Sequence, residues 1–392
     1  LKHRCACQAG GARSPCGTMS DTPDPSEPGA PSSGTPPSAG APLPAEPLPI
    51  EPLPGEPLPG EGAPTVDGDS PPPTEPPPPP MESAPRKRPG FGFWRLLIII
   101  VAVLLLLYYP VGMIWISKVD DDPDYDPGAV DDGASYAVAT AAGLIDREVD
   151  QNGWPANDPF FYPGAALDNM PNFQIGIIQA LSRFAVDMTD QIGRTRGSSQ
   201  ADPDLDKAAG LLKYSPRVWI FDPSTSWAPT ASSESQYRAA RKALLAYNDK
   251  LANKQAVFER RADNLLSTLD RFAADLGSAS AVLDIQIREH SGDFVDFHAD
   301  DVFYNAKGKL YAYAMLFKAL GKDFAKVIDE KDLKPAWDQT VASLMEGATL
   351  HPLVVINGKP DGLFLPNHLA VEGFYLLRAR TQLREITNIL AK

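Results

Sequence analysis

Residues 96–116, LLIIIVAVLLLLYYPVGMIWI, follow Phe91-Gly92-Phe93-Trp94-Arg95 and contain no charged side chain. At about 1.5 Å of rise per helical residue the run reaches about 30 Å, the thickness of a bilayer's hydrocarbon core. A buried helix of a soluble protein can be as apolar, but rarely over this length and between these flanks. The stretch 94–116 therefore reads as a single transmembrane helix. Trp94 and Trp115 suit the two interfaces, where an indole is apolar and its N–H stays wet. Pro110 falls near the far end, where water or local groups can satisfy the carbonyl that it frees. A cleavable signal fits poorly, because the run lies deep in the chain and Ser117-Lys118-Val119 makes a weak cleavage site.

Working outward, Arg86-Lys87-Arg88 and Arg95 precede the apolar run, and Lys118 then Asp120-Asp121-Asp122, Asp124 and Asp126 follow it. Basic residues are retained in the cytoplasm, so the expected topology is single-pass, with the N-terminus cytoplasmic and the large C-terminal part beyond the membrane. Residues 1–85, 86–118 and 119–392 carry net charges of −8, +5 and −11. An acidic folded part disfavours nonspecific nucleic-acid binding, and the expected partners include no nucleic acid.

Residues 1–90 read as a disordered, acidic, proline-rich cytoplasmic tail. Glu-Pro-Leu-Pro recurs at 46, 51 and 56, and five consecutive prolines occupy 76–80. Proline removes backbone donors and fixes φ, which favours an extended polyproline II chain without a core. A semi-rigid spacer is preferred over a ligand for an aromatic groove, because the motif is compositional. The three cysteines are Cys5, Cys7 and Cys16. Their spacing is a poor zinc signature, and the opening before Met19 reads as an early start, with Met19 the expected N-terminus.

Past the membrane, 117–128 reads as an acidic juxtamembrane linker and 129–392 as a helical domain. Apolar periodicity predicts helices over 128–149, 169–192, 204–212, 300–320, 324–331, 333–350 and 366–390, the last with Leu369, Phe374, Leu377, Leu383, Ile386 and Ile389 in its apolar stripe. Tyr237, Leu244, Leu251, Phe258, Leu265 and Phe272 recur every seven residues. They suggest one long bundle helix over 232–275, with Gly277-Ser278 as its interruption. Residues 218–221 and 353–356 are candidate short strands. No strand–helix–strand repeat occurs, and the expected class is all-α: a transmembrane helix followed by a multi-helix bundle.

Chemical motifs are sparse. Asp146, Glu148, Asp150 and Asp158 adjoin an aromatic loop containing Trp154, Phe160, Phe161 and Tyr162. Acids beside aromatics can stack on a sugar while one carboxyl donates a proton, so these four are weak candidates for hydrolysis of an envelope polymer. The simpler reading gives the acids to an exposed helix face and the aromatics to loop packing. Arg194 and Arg196, in Gly193-Arg194-Thr195-Arg196-Gly197, could hold an anion, but no P-loop ending follows them. The histidines beyond the membrane form no metal-ligand pattern, and the acidic runs lack calcium-loop spacing. No metal and no cofactor is expected.

Residues 144–152 with Asn157-Asp158-Pro159-Phe160-Phe161, Leu167-Asp168-Asn169-Met170-Pro171-Asn172-Phe173-Gln174, Gln191-Ile192-Gly193-Arg194-Thr195-Arg196-Gly197-Ser198, and the closing run 363–390 resemble an uncharacterised bacterial inner-membrane family, domain of unknown function 2333. The resemblance covers about residues 92–392 and leaves the proline-rich tail outside. It implies a bacterial inner-membrane location with a periplasmic domain, and brings no substrate, catalytic residue or partner with it. The leading expectation is a scaffold or binding protein of the envelope whose partners are the lipid bilayer and an envelope protein or the cell wall. An envelope polymer hydrolase and an anionic-ligand binding module are the alternatives. Neither reading fixes an oligomeric state.

Overall fold

The computed structural model describes residues 91–192, 201–221, 227–292, 296 and 298–392. Ten α-helices occur among these residues, with no named strand and one isolated antiparallel bridge, Asn357 to Asn367. The fold is all-α, as expected. Residues 218–221 and 353–356 are irregular, with the Ile220 carbonyl accepting from the Thr230 amide at 2.8 Å and the Ile356 carbonyl from that of His368 at 2.9 Å. Helix α1 spans Phe91–Ile116 and includes Pro110. Its Gly92–Ile116 portion is long and apolar enough to cross a membrane, and none of its most apolar window is buried by protein.

Beyond it come α2 (Tyr136–Asp146), α3 (Asn169–Asp187), α4 (Pro203–Leu211), α5 (Ser233–Ala252) and α6 (Ala262–His290), then α7 (Ala299–Asp323), α8 (Ala325–Glu330), α9 (Lys334–Ala348) and α10 (His368–Leu390). The residue types explain the centre of the bundle. In α7, Leu310, Tyr311, Ala312, Tyr313, Ala314, Met315, Leu316 and Phe317 are consecutive and all buried. A helix that is apolar around its whole circumference must be surrounded by others, and α7 packs against α2, α3, α6, α9 and α10. Two glycines permit the closest approach. A Cβ on Gly308 would strike the Phe173 carbonyl, and one on Gly176 the Asn305 carbonyl.

The heptad positions 237, 244, 251, 258, 265 and 272 are all buried, but the first three lie in α5, the last two in α6, and Phe258 in the connection between them. The chain leaves α5 at Asn253 and turns through Lys254 at φ +59° before α6 begins. The Tyr247 hydroxyl donates to the Val257 carbonyl at 2.7 Å and pins the turn. Residues 277–278 cause no break, and Gly277 instead gives room to Arg380. In α3 the cap is Asp168, its carboxylate accepting from the Asn169 backbone amide at 2.9 Å. The start of α2 is capped by Ser135, whose hydroxyl accepts from the Val138 backbone amide at 3.2 Å, and also by a distant residue. The Asp323 carboxylate accepts from the Ser135 hydroxyl at 2.8 Å and from the Tyr136 and Ala137 amides at 3.0 and 2.9 Å, where a helix N-terminus leaves orphan donors and favours an anion.

Candidate functional site

The residues that follow α1 run along the bundle and are fastened at each step. Asp120 lies 3.5 Å from Arg147, and Asp121 lies 2.7 Å from Lys307 and 3.1 Å from His351. The Tyr311 hydroxyl donates to the Asp122 carbonyl at 2.7 Å, and Lys318 to the Pro123 carbonyl at 2.6 Å. Tyr125 lies against Gly143, where a Cβ would strike its hydroxyl. The acidic run that reads as a spacer thus supplies the counter-charges of two buried bases.

Arg147 is the first of these bases. Its guanidinium pairs with Glu148 at 2.6 Å, donates to the Tyr311 hydroxyl at 2.7 Å, and stands over the rings of Tyr125 and Tyr311 at 5.0 and 4.8 Å. Burial opposes its charge, but Glu148, Tyr311 and Asp120 outweigh burial and hold it firmly protonated. The second base, Lys307, has no exposed side chain and also donates to the Leu350 carbonyl at 2.6 Å. Burial lowers its pKa and Asp121 opposes that shift. Near it, Glu372 is fully buried, and neither carboxyl oxygen has a hydrogen-bond partner among the described residues. Burial pushes the Glu372 pKa well above the ordinary carboxylate value, with Lys307 pulling weakly the other way.

The four candidate catalytic carboxylates are divided. Asp146, at the end of α2, and Asp150, one turn further on, both meet arginines of α5: Arg241 lies 3.0 Å from Asp146 and 3.9 Å from Asp150, and Arg238 lies 2.5 Å from Asp150. Glu148 is turned inward to Arg147 and Gln174. Burial, with the charge of Glu234 adding to it, raises the pKa of Asp158. Trp154 is buried, edge-on to Tyr237 with centroids 5.1 Å apart, and its indole N–H donates to the Pro216 carbonyl at 2.9 Å. Phe160, Phe161 and Tyr162 are exposed. The aromatic loop therefore separates into one structural tryptophan and three surface rings. Arg194 and Arg196 lie outside the described residues.

Two features escape the sequence reading. Asp168, Asp300 and Asp301 each place one carboxylate oxygen within 4.8 Å of the others, a set of hard oxygen donors that a divalent cation could use. Burial raises the pKa of Asp300, and the charge of Asp168 adds to the shift. The pairing joins a loop before α3 to the first turn of α7, which spacing along the chain cannot reveal. The second feature is a second apolar face on α10. Leu369, Leu376, Leu383 and Ile386 are buried, whereas Val371, Phe374 and Leu377 are exposed. Phe374 and Leu377 thus leave the core stripe that periodicity assigns to them, because Glu372 and Leu376 take the inward positions. Leu363, Phe364 and Leu365, just before this helix, are exposed as well. Their loop is tied down by the Asn367 side chain, whose Nδ2 donates to Asn357 Oδ1 at 2.9 Å.

No curated protein and no solved structure matches this chain. The profile of the family described as "Uncharacterized protein conserved in bacteria (DUF2333)" matches residues 90–294 and 288–392. The chain, whose membrane helix and helical bundle both fall within that match, belongs to this bacterial family.

Proposed function

We propose that this chain is a scaffold or binding protein of the bacterial envelope, anchored by α1 with its N-terminus cytoplasmic and its helical domain periplasmic. The positive charges before α1 and the aspartates after it support this orientation. The observation that carries the binding role is the second apolar face of α10, where Val371, Phe374 and Leu377 are exposed, with Leu363, Phe364 and Leu365 exposed in the segment just before the helix. Exposed apolar surface grouped in this way marks sites of association, and a helix presenting residues at three-residue intervals suits a groove or helix on a partner protein. The partner is an envelope protein held at a fixed distance from the bilayer, because the strap after α1 allows the domain little freedom.

A photo-crosslinking amino acid at Phe374 of the full chain in living cells, with one at exposed Lys326 as control, tests this role. The expected result is a discrete set of periplasmic or inner-membrane proteins captured from position 374 and not from 326. Capture of cytoplasmic proteins alone, or no adduct beyond the control, would overturn it.

A further inference from the structure

A loop of the domain reaches the membrane helix well before that helix ends. The Tyr109 hydroxyl donates to the Phe160 carbonyl, and Gly112 lies so close to Pro163 that a Cβ there would collide with its ring. Tyr109, Gly112, Met113 and Ile116 are partly covered, whereas Leu104, Leu105, Leu106, Val111, Ile114 and Trp115 stay exposed. Positions 109, 112, 113 and 116 have the spacing of one helix face. The last two turns of α1 thus turn one face to the domain and the rest to their surroundings.

Depth follows from helix geometry. Tyr109 precedes the end of α1 at Ile116 by seven residues, about 10 Å along the axis. The apolar run is only about as long as the hydrocarbon core is thick. If it spans, a loop bound at Tyr109 lies at or below the headgroups rather than in bulk water.

We propose that Phe160, Phe161 and Tyr162, with Trp219 packed on Phe161, form a lipid-contacting surface that seats the domain in the interfacial layer of the adjoining leaflet. Composition and exposure agree with this. Residues 159–166, PFFYPGAA, carry no charge, and Phe160 is 84% exposed. Phe161 meets Trp219 at 5.9 Å between centroids, and Trp219 meets exposed Phe221 at 5.5 Å. Tyr162 and Trp219 have rings with a polar edge, which favour that layer, and Phe160 and Phe161 add the apolar area that enters it.

The backbone is suited to it as well, since unpaired polar groups are costly away from water. Pro159 and Pro163 have no N–H, the Tyr162 amide donates to the Pro159 carbonyl at 2.8 Å, and the Ala165 amide donates to the Tyr162 carbonyl at 3.1 Å. Tyr109 takes the Phe160 carbonyl. The surface differs from the α10 face and does not depend on what binds there.

The test is power-saturation spin-label spectroscopy on the full chain, with Cys5, Cys7 and Cys16 replaced by serine, in phosphatidylcholine–phosphatidylglycerol nanodiscs. Labels are placed by Phe160→Cys and, as an aqueous reference, Lys326→Cys. Only the exposed ring is lost at 160, because the contact to Tyr109 uses the main chain. If that variant fails to fold, Ala165→Cys on the same loop replaces it. The expected label at 160 is reached by oxygen in preference to a water-soluble nickel complex, at about 5–10 Å below the phosphates. Nickel access at 160 equal to that at 326 would overturn the proposal.

Discussion

The Lys307 ammonium, buried in the middle of the domain, lies 2.7 Å from the Asp121 carboxylate, five residues past the end of the membrane helix. A buried base paired with an acid so near the anchor ties the position of the whole bundle to α1. Removing the base leaves Asp121 in a site where only 12% of its side chain is exposed. Lys307→Ala is expected to destabilise the domain by about 3–5 kcal/mol. Asp121→Asn should cost less, because the amide can still accept from the ammonium. Chemical unfolding of both variants in detergent micelles checks the order.

Glu372 gives the pH dependence its sign. Its folded pKa is raised above the ordinary value of 4.5 by burial. The folded state therefore keeps a proton that the unfolded state releases. On this group's account stability is full below pH 4.5 and falls as pH rises, by about 1.4 kcal/mol per pH unit until the folded pKa is reached. Glu372→Met removes the titrating group at similar volume. The stability difference between variant and parent should grow in favour of Met above pH 4.5, as read by unfolding midpoints across a pH series.

Arg147 combines a buried ion pair with two aromatic faces, a geometry that a lysine cannot reproduce. Arg147→Lys keeps the charge for Glu148 but loses the planar stacking on Tyr125 and Tyr311. The expected cost is about 2 kcal/mol, read as a lowered unfolding midpoint in micelles.

The α3–α7 contact is set by backbone, so it cannot yield as a side chain would. Gly308→Ala places a methyl against the Phe173 carbonyl. The expected loss is about 1–3 kcal/mol or more, whereas Gly373→Ala, where nothing lies within 4 Å of the new atom, should stabilise α10 slightly. The same unfolding assay separates the two.

The sequence carried the helices well because their apolar periods are long and strong, as in α3, α7 and α9. It misjudged the stretch around residue 254 because the seven-residue repeat keeps its phase through a turn, and burial continues although the helix does not. Phe374 and Leu377 look like core residues in any count of periodicity. Only the packing of α10 against α6 and α9 shows that Glu372 faces inward in their place. For the same reason, the aspartates after α1 read as solvated spacer residues, since their partners Arg147 and Lys307 lie far along the chain. The candidate acids Asp146 and Asp150 share a helical face as their spacing implies, but spacing could not show the arginines of α5 that meet them.

The fixed coupling between anchor and domain is tested most directly by the distance between spin labels at Lys118→Cys and Lys326→Cys in the full chain, with the three native cysteines replaced by serine, in lipid nanodiscs. Both positions are exposed, one just past α1 and the other on α8. The expected result is a single narrow distance distribution that broadens when Lys307→Ala is added. A broad distribution in the chain that keeps Lys307 would contradict the coupling and make residues 117–128 a flexible tether.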